Sequence, residues 1–155
     1  MIMNYKIMKR TMFLMMVVMA STLAQAQTQF VNPEGLMKSS GYTHVVVAGN
    51  TVYISGQVPT NEKGEVVGKG DLRAQTMQVY ENLKKCLASV GLTFSDVVKM
   101  NTYVVNLKPE ELGAVREVRR GYLNAEAPPA STLAGVQALF HPDVRIEIEA
   151  IAIKK

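Results

Sequence analysis

The C-terminal stretch over residues 144–153 constrains the fold of this 155-residue chain more than any other. Apolar and charged residues alternate through it, which is the pattern of a β-strand with two different faces. Glu147 and Glu149 stand two residues apart and share one face, roughly 7 Å from each other at about 3.3 Å of rise per residue. Ile151 and Ile153 continue that face. The pattern predicts a partly covered surface with one carboxylate in a pocket; the ordinary alternative is a half-exposed sheet with solvated charges.

The first 26 residues have the composition of a secretory signal peptide. A basic region with Lys6, Lys9 and Arg10 precedes an apolar run, and Ala24-Gln25-Ala26 is typical of a cleavage site. We expect cleavage after Ala26 and export to the periplasm or the medium, with no membrane association afterwards. The apolar run is short for a bilayer span, and an uncleaved anchor is the alternative.

Charge gives little support for a nucleic-acid partner once the leader is set aside. The leader holds three of the 17 basic residues and none of the 13 acidic ones, which lowers the net charge from +4 to +1. Nucleic-acid-binding domains are usually strongly basic on one face. The single cysteine, Cys86, has no intrachain disulfide partner and is predicted to be a buried helix residue. His44 and His141 lack a nearby acidic or cysteine pattern, so we expect no metal site.

The chain beyond the leader is predicted to form an extended N-terminal segment over residues 27–40 and one α+β domain over residues 41–155. The predicted order is β-β-α-β-α-β-β, with two helices on one face of a mixed sheet. Gly49-Asn50 suits a two-residue hairpin turn, Asp71 a helix cap and Gly91 a helix end. The strands are expected at 42–48, 51–58, 97–105 and 144–153, with one further strand before the last, and the helices at 71–90 and 109–122.

The strand predicted over residues 97–105 is apolar on both sides, which indicates a central position in the sheet. Its alternation places Val97, Tyr103 and Val105 on one side and Val98, Met100 and Val104 on the other. The sheet face without helices is either solvated or buried against another chain, and its aliphatic content favours burial.

From residue 41 to 153 the chain resembles the reactive intermediate deaminase family, also called RidA/YjgF or Rid. The most specific run is the strand that ends in Ser-Gly-Gln, together with the late Ile-Glu-Ile-Glu-Ala sequence. The matching runs are Gly41-Tyr42, residues 49–58, Ala74-Gln75-Thr76, Glu81-Asn82-Leu83, residues 96–99, Pro129-Ala130 and residues 146–152. The resemblance implies a fold similar to chorismate mutase and a homotrimer with a small-molecule ligand in the cleft between subunits.

The resemblance also implies hydrolysis of reactive enamines and imines, such as 2-aminoacrylate, to a carbonyl compound and ammonia without a metal or organic cofactor. Glu147 would transfer protons or activate water, with Tyr42 as a second catalytic group. Ser55 and the backbone at Gly56 would bind substrate in the cleft. A glutamate on an enclosed strand face suits acid–base catalysis, because desolvation raises its pKa.

The sequence departs from this resemblance after Pro129-Ala130. The deaminating members carry an arginine there that binds the substrate carboxylate, and this chain has Ser131. Leu133 stands where a cysteine is frequent, and Arg116 where an asparagine is common. Losing a desolvated charge-assisted anchor costs roughly 2–5 kcal/mol, so imines derived from amino acids are expected to be poor substrates.

Two arginines are candidate replacements for the missing cation. Arg116 belongs, with Arg119 and Arg120, to a side of the second helix that is either solvated or directed at an anionic ligand. Arg116 is also the tentative substrate-binding residue, together with Ser131. Arg145 shares a strand face with Glu147, and a salt bridge between these two is the ordinary interpretation.

Two functions therefore remain open. The chain is an exported imine or enamine deaminase with an altered substrate range, or a non-catalytic trimer that binds a small molecule in the intersubunit cleft. Ser131 favours binding alone or a substrate without a carboxylate. RNA cleavage, which has been linked to some relatives, is disfavoured by the near-zero charge and the leader.

Overall fold

A computed structural model describes residues 27–155, so the predicted leader and the cleavage at Ala26 lie outside the described residues. This part of the chain forms a single six-stranded sheet with two α-helices, which confirms the α+β fold class. The strands are β1 Gln29–Val31, β2 Val45–Ala48, β3 Thr51–Gln57, β4 Val97–Val105, β5 Ala130–Val136 and β6 Ile146–Ile153, and the helices are α1 Leu72–Ala88 and α2 Leu112–Arg120. No helix within residues 27–155 has the length and hydropathy to cross a membrane.

The sheet has the order β1-β2-β3-β6-β4-β5. All neighbours are antiparallel except β4 and β5, which are parallel. The strand with apolar residues on both sides, β4, lies between β6 and β5, as its pattern predicts. Three residues of the segment predicted to be merely extended form β1, which pairs with β2 at the sheet edge.

The predicted turn and helix boundaries are present. Gly49 takes a φ of 64° in the two-residue turn that joins β2 to β3, a region that glycine adopts without strain. The Asp71 side chain accepts a hydrogen bond from the Ala74 amide at the start of α1. Beyond α1, Gly91 has a φ of 75°, and the Leu92 amide donates to the Leu87 carbonyl at 2.9 Å. This is a Schellman-type end.

Two bulges interrupt the regular alternation of the strands. The register of β4 against β6 shifts between Val97 and Lys99, where one extra residue is accommodated. Val97 is consequently buried on the helix-covered face, whereas Val98 is 47% exposed. The predicted division of these two valines between the faces was wrong because the bulge reverses the alternation at that point. The second bulge lies in β3 between Ile54 and Gln57.

The alternation of β6 separates the core from the open face of the sheet. Ile146, Ile148 and the alanines that follow at alternate positions are buried under the helices. A fully buried isoleucine stabilises the fold by about 1.5–3 kcal/mol relative to an exposed one. Glu147 and Glu149 occupy the intervening positions and lie half-buried on the open face.

Candidate functional site

Four of the predicted site residues line one cavity at the edge of the open face. This Glu147 cavity has a volume of about 330 Å³. Its lining consists of Met37, Tyr42, Ser55, Gly56, Val58, Phe140 and Glu147. The cavity therefore combines one carboxylate and two hydroxyls with apolar walls, a composition typical of small-molecule sites.

The bulge in β3 fits the backbone of Gly56 against the carboxylate of Glu147. Residues 55 and 56 together face a single position of β6, because Ile54 pairs with Ala150 and Gln57 pairs with Ile148. A Cβ atom on Gly56 would lie 2.7 Å from the Glu147 Cδ and 2.9 Å from its Cγ, so any other residue there would force the Glu147 side chain to move. Bulges of this kind often redirect side chains beside functional sites.

The environment of Glu147 favours its protonated form. Burial raises the pKa of this carboxyl, and the negative charge of Glu149 raises it further. The Glu149 carboxylate is held in place by Asn101, which donates to it at 2.6 Å, and by the Tyr103 hydroxyl at 3.2 Å. None of the salt bridges within residues 27–155 involves Glu147. A carboxyl group with a raised pKa that opens onto a cavity is suited to proton transfer.

Tyr42 is held beside this carboxyl by an edge-to-face contact with the buried ring of His44, at 5.2 Å between centroids. Burial raises the pKa of Tyr42, and the negative charge of Glu147 raises it further. The Tyr42 hydroxyl is therefore a neutral hydrogen-bond donor at physiological pH. The His44 Nε2 donates to the Met37 carbonyl at 2.9 Å, and its Nδ1 accepts from the Gln57 amide at 3.3 Å. The ring of His44 therefore supports the cavity wall.

Ser55 is also fixed by the strands around it. Its Oγ donates to the Thr43 carbonyl at 2.6 Å, and its amide donates to the His44 carbonyl at 3.0 Å. The Ser55 oxygen keeps its acceptor lone pairs for a ligand. Gln57, which the sequence did not single out, donates to the Ser55 carbonyl at 2.9 Å and connects this residue to His44.

The other two predicted site residues line a separate cavity under α2. This Ser131 cavity has a volume of about 430 Å³ and is lined by Tyr80, Thr102, Leu107, Leu112, Val115, Arg116, Arg119, Ser131 and Leu133. Ser131 pairs with the buried Met100 of β4, whereas Glu147 pairs with Tyr103 on the open face. Paired residues share a face. Within one chain, Ser131 and Glu147 therefore lie on opposite faces of the sheet.

Arg119 is the cation in contact with Ser131. Its Nη1 donates to the Ser131 Oγ at 3.3 Å. Sequence reasoning placed Arg119 on a solvated or ligand-binding side of the helix without distinguishing it from its neighbours. The distinguishing feature is the parallel pairing of β5 with β4, which brings Ser131 under the helix.

The predicted salt bridge between Arg145 and Glu147 is wrong. Arg145 instead forms a forked ion pair with Glu111, at 3.0 and 3.1 Å, and also donates to the Val105 carbonyl at 3.3 Å. Glu111 ends the short 3₁₀ turn before α2, where both carboxylate oxygens face the guanidinium. Arg145 is thus fully engaged in holding that turn and is not a free cation for a ligand.

No arrangement of three or more histidine, cysteine or acidic side chains within residues 27–155 is suited to a metal ion. His141 lies in the segment before β6, where its Nδ1 accepts from the Asp143 amide at 3.1 Å. Cys86 is fully buried, and burial raises the pKa of its thiol to about 12, which leaves it unreactive.

Comparison with known proteins gives one consistent result. A sequence model of the family described as Endoribonuclease L-PSP matches residues 34–154. A RutC family protein of Pyrococcus horikoshii is 40% identical over 115 residues, which cover 74% of this chain and 87% of that protein. The 2-iminobutanoate/2-iminopropanoate deaminase of Escherichia coli is 36% identical over 116 residues, covering 74% of this chain and 88% of the deaminase. The crystal structure of RidA from a Psychrobacter species has a TM-score of 0.73 and 31% identity, over 81% of this chain and 99% of RidA.

Proposed function

This chain belongs to the Rid/YjgF family, whose sequence model is described as Endoribonuclease L-PSP, and on that premise we propose that it hydrolyses reactive enamines or imines to a carbonyl compound and ammonia. The observation that carries the proposal is the position of the Glu147 carboxyl, which lies against Gly56 in an open cavity. Burial raises the pKa of this carboxyl. The name of the Escherichia coli relative supports this reaction class.

Glu147 performs both proton transfers in the proposed reaction. Its neutral acid gives a proton to the enamine carbon, which converts C=C–NH₂ into the iminium form C–C=NH₂⁺. The resulting carboxylate then takes a proton from water as the water oxygen bonds to the iminium carbon. The carbinolamine passes a proton from oxygen to nitrogen, the C–N bond breaks, and ammonia leaves with the carbonyl compound. The Tyr42 hydroxyl and the Ser55 oxygen orient the substrate and the water.

The opposite placement of Glu147 and Ser131 supports a homotrimer with the site between subunits. A ligand that contacts both residues must bridge two copies of the chain, because the sheet separates them within one copy. The open face carries Tyr53 at 49% exposure together with Ile151 and Ile153, an apolar surface that a second copy would cover. We propose that this surface joins the three subunits.

Ser131 narrows the proposed substrate range. A hydroxyl gives no charge at the place where, by family resemblance, an arginine binds the carboxylate of simple imino acids. We therefore propose slow turnover of 2-aminoacrylate. The leader pattern and the mature charge of about +1 further support an exported protein that acts on small molecules rather than RNA.

A trimer that binds a small molecule without turnover is the second candidate. The observation that favours it is also Ser131, since a cleft without the arginine anchor has lost one element of the deaminase site. Both candidates use the same cavities. They differ in whether Glu147 turns substrate over.

Ammonia release from a panel of enamines and imines, generated in situ, tests the proposal. We expect Glu147→Gln to lower the rate about 10²- to 10⁴-fold, because an amide neither gives nor takes the proton. Glu149→Gln is the matched control on the same strand face and keeps the activity at a pH below the pKa of Glu147. The limb on which activity falls as the pH rises should move to lower pH, because the protonated acid starts the reaction and the charge that helps to raise the pKa of Glu147 is gone. Equal rates in Glu147→Gln and the unmodified protein would exclude this mechanism.

A further inference from the structure

The Ser131 cavity contains cations without counter-charges. Arg116 and Arg119 line it, and no aspartate or glutamate does. Neither arginine takes part in the salt bridges found within residues 27–155. The acidic residue between them on the helix, Glu117, is paired with Arg73 at 2.8 Å. Two positive charges therefore remain uncompensated at one cavity.

The contact between Arg119 and Ser131 does not neutralise either charge. The hydroxyl is a neutral acceptor, and at 3.3 Å from Nη1 it forms a long hydrogen bond. Arg116 and Arg119 are three positions apart on α2, where Cβ atoms lie about 5–6 Å from each other and like charges repel. An anion between the two guanidinium groups would remove this repulsion.

Two buried residues that carry hydroxyl groups line the same cavity. Tyr80 is 2% exposed and Thr102 is 7% exposed, and both line the cavity. Neither hydroxyl forms a hydrogen bond with a residue in the 27–155 range, although buried hydroxyls are usually paired. Every fully enclosed side-chain oxygen in that range has a partner, so neither of these two hydroxyl oxygens is fully enclosed. Both hydroxyls remain unpaired within the described residues and belong to residues that line the cavity.

The remaining lining residues form an apolar wall. Leu107, Leu112, Val115 and Leu133 complete the lining of the cavity. An inorganic anion would leave this wall without contacts, whereas the carbon skeleton of an organic acid would bury it. The cavity thus combines charge recognition with an apolar surface.

We propose that the Ser131 cavity binds a small organic dianion, a short dicarboxylate, with Arg116 and Arg119 each binding one carboxylate and Ser131 beside Arg119. The planar fork of a guanidinium matches one carboxylate, and a monocarboxylate would leave one of the two charges unpaired. This inference deepens the proposed function, on which it rests for its biological meaning: the preferred substrates are imines or enamines that carry two carboxylates. The cation that anchors them is Arg119 on α2 rather than a residue at position 131.

Calorimetric titration of the purified protein with succinate, propanoate and inorganic phosphate tests the inference. We expect succinate to bind at least about tenfold more tightly than propanoate, since the second charge-assisted contact is available only to the dianion. Arg119→Gln should weaken succinate binding about 10- to 100-fold and abolish the discrimination. Arg119→Lys keeps the charge without the fork and should give an intermediate affinity. Lys84→Gln removes an exposed positive charge on α1 that lines neither the Ser131 cavity nor the cavity beside it, and as the control it should bind succinate like the unmodified protein.

Three results would overturn the inference. They are equal affinities for succinate and propanoate, unchanged succinate binding in a folded Arg119→Gln variant, and phosphate binding as tight as that of succinate. Failure of the proposed function has a different signature. In that case succinate still binds in an Arg119-dependent way, but no dicarboxylate imine is hydrolysed at a Glu147-dependent rate. Glu147→Gln should keep succinate binding while losing turnover.

Discussion

At the scale of single residues, Gly56 leaves less room for a Cβ than any other glycine within residues 27–155. The bulge in β3 brings the glycine backbone so near that a side chain at this position would overlap the present position of the Glu147 carboxyl group. The carboxyl group can occupy that position only because the neighbouring strand has no Cβ there. A substitution of Gly56 would therefore move the Glu147 carboxyl group without removing it.

Gly56→Ala is expected to lower the turnover rate at least about tenfold and to destabilise the protein by about 1–3 kcal/mol, because the added methyl group overpacks the site. The matched control is Gly113→Ala. Gly113 lies in α2, an added Cβ has no atom within 4 Å, and alanine should stabilise that helix by about 0.5–1 kcal/mol. Initial rates and thermal unfolding measure both effects. Full activity in Gly56→Ala would show that the carboxyl position is not critical.

The sequence predicted the positions of single side chains best where the alternation of a strand specifies which face of the sheet each side chain occupies. Glu147 and its neighbours on the open face follow from the two-residue period of β6. The partner of Arg145 and the contact of Arg119 did not follow, because a long flexible side chain reaches several positions. Glu111 and Ser131 become partners only through the packing of β4, β5 and α2.

At the scale of elements, α1 is hydrogen-bonded to the segment after Phe140, which forms one wall of the Glu147 cavity. The Gln75 side chain is fully buried, donates to the Asp143 carbonyl at 2.6 Å and accepts from the Arg145 amide at 2.8 Å. These bonds hold the chain just after Phe140, which forms one wall of the cavity. The Gln75 side chain thus connects α1 to the wall of the Glu147 cavity.

Gln75→Met is expected to destabilise the protein by about 2–5 kcal/mol, since it leaves two backbone groups without their partner. It should also lower the activity by loosening the cavity wall. Gln78→Met is the control on the same helix: Gln78 is only partly buried and donates to the Asn82 side chain at 3.0 Å and to the Thr60 carbonyl at 3.4 Å. The Thr60 carbonyl keeps its bond from Asn82 at 2.9 Å, so the loss of Gln78 leaves no backbone group without a partner and should cost about 1 kcal/mol. Denaturant titration compares the two variants. Equal losses in the free energy of unfolding would mean that the Gln75 bonds to Asp143 and Arg145 do not stabilise the fold more than the bonds of Gln78.

The order and class of the main elements were predictable from the sequence, because turn and cap residues such as Gly49, Asp71 and Gly91 mark local boundaries. The short strand β1 and the two bulges were not predictable. β1 is three residues long and exists through its pairing with β2. A bulge is a property of the register between two strands, which one strand's pattern does not contain.

At the scale of the whole molecule, the positions of the Glu147 cavity and the Ser131 cavity explain why the proposed function needs a trimer. Glu147 and Gly56 lie on the open face, while Arg119 and Ser131 lie on the helix-covered face. A site that uses both sets must combine a Glu147 cavity from one copy with a Ser131 cavity from the next. Light scattering should accordingly give the mass of three chains.

Mixing two inactive variants tests this arrangement directly. Trimers formed from equal amounts of Glu147→Gln and Arg119→Gln chains, after joint unfolding and refolding, should recover about a quarter of the unmodified rate on a dicarboxylate imine. The reason is that each cleft draws its Glu147 and its Arg119 from different copies, and random assembly makes both intact in about one cleft of four. The control mixes Glu147→Gln with Gly56→Ala. These two residues belong to the same cavity of one chain, so no cleft is repaired and the rate should stay at the level expected from the separate variants. No recovery in the first mixture would place the whole site within a single chain, and recovery in the control would show that Glu147 and Gly56 of one chain do not serve the same cleft.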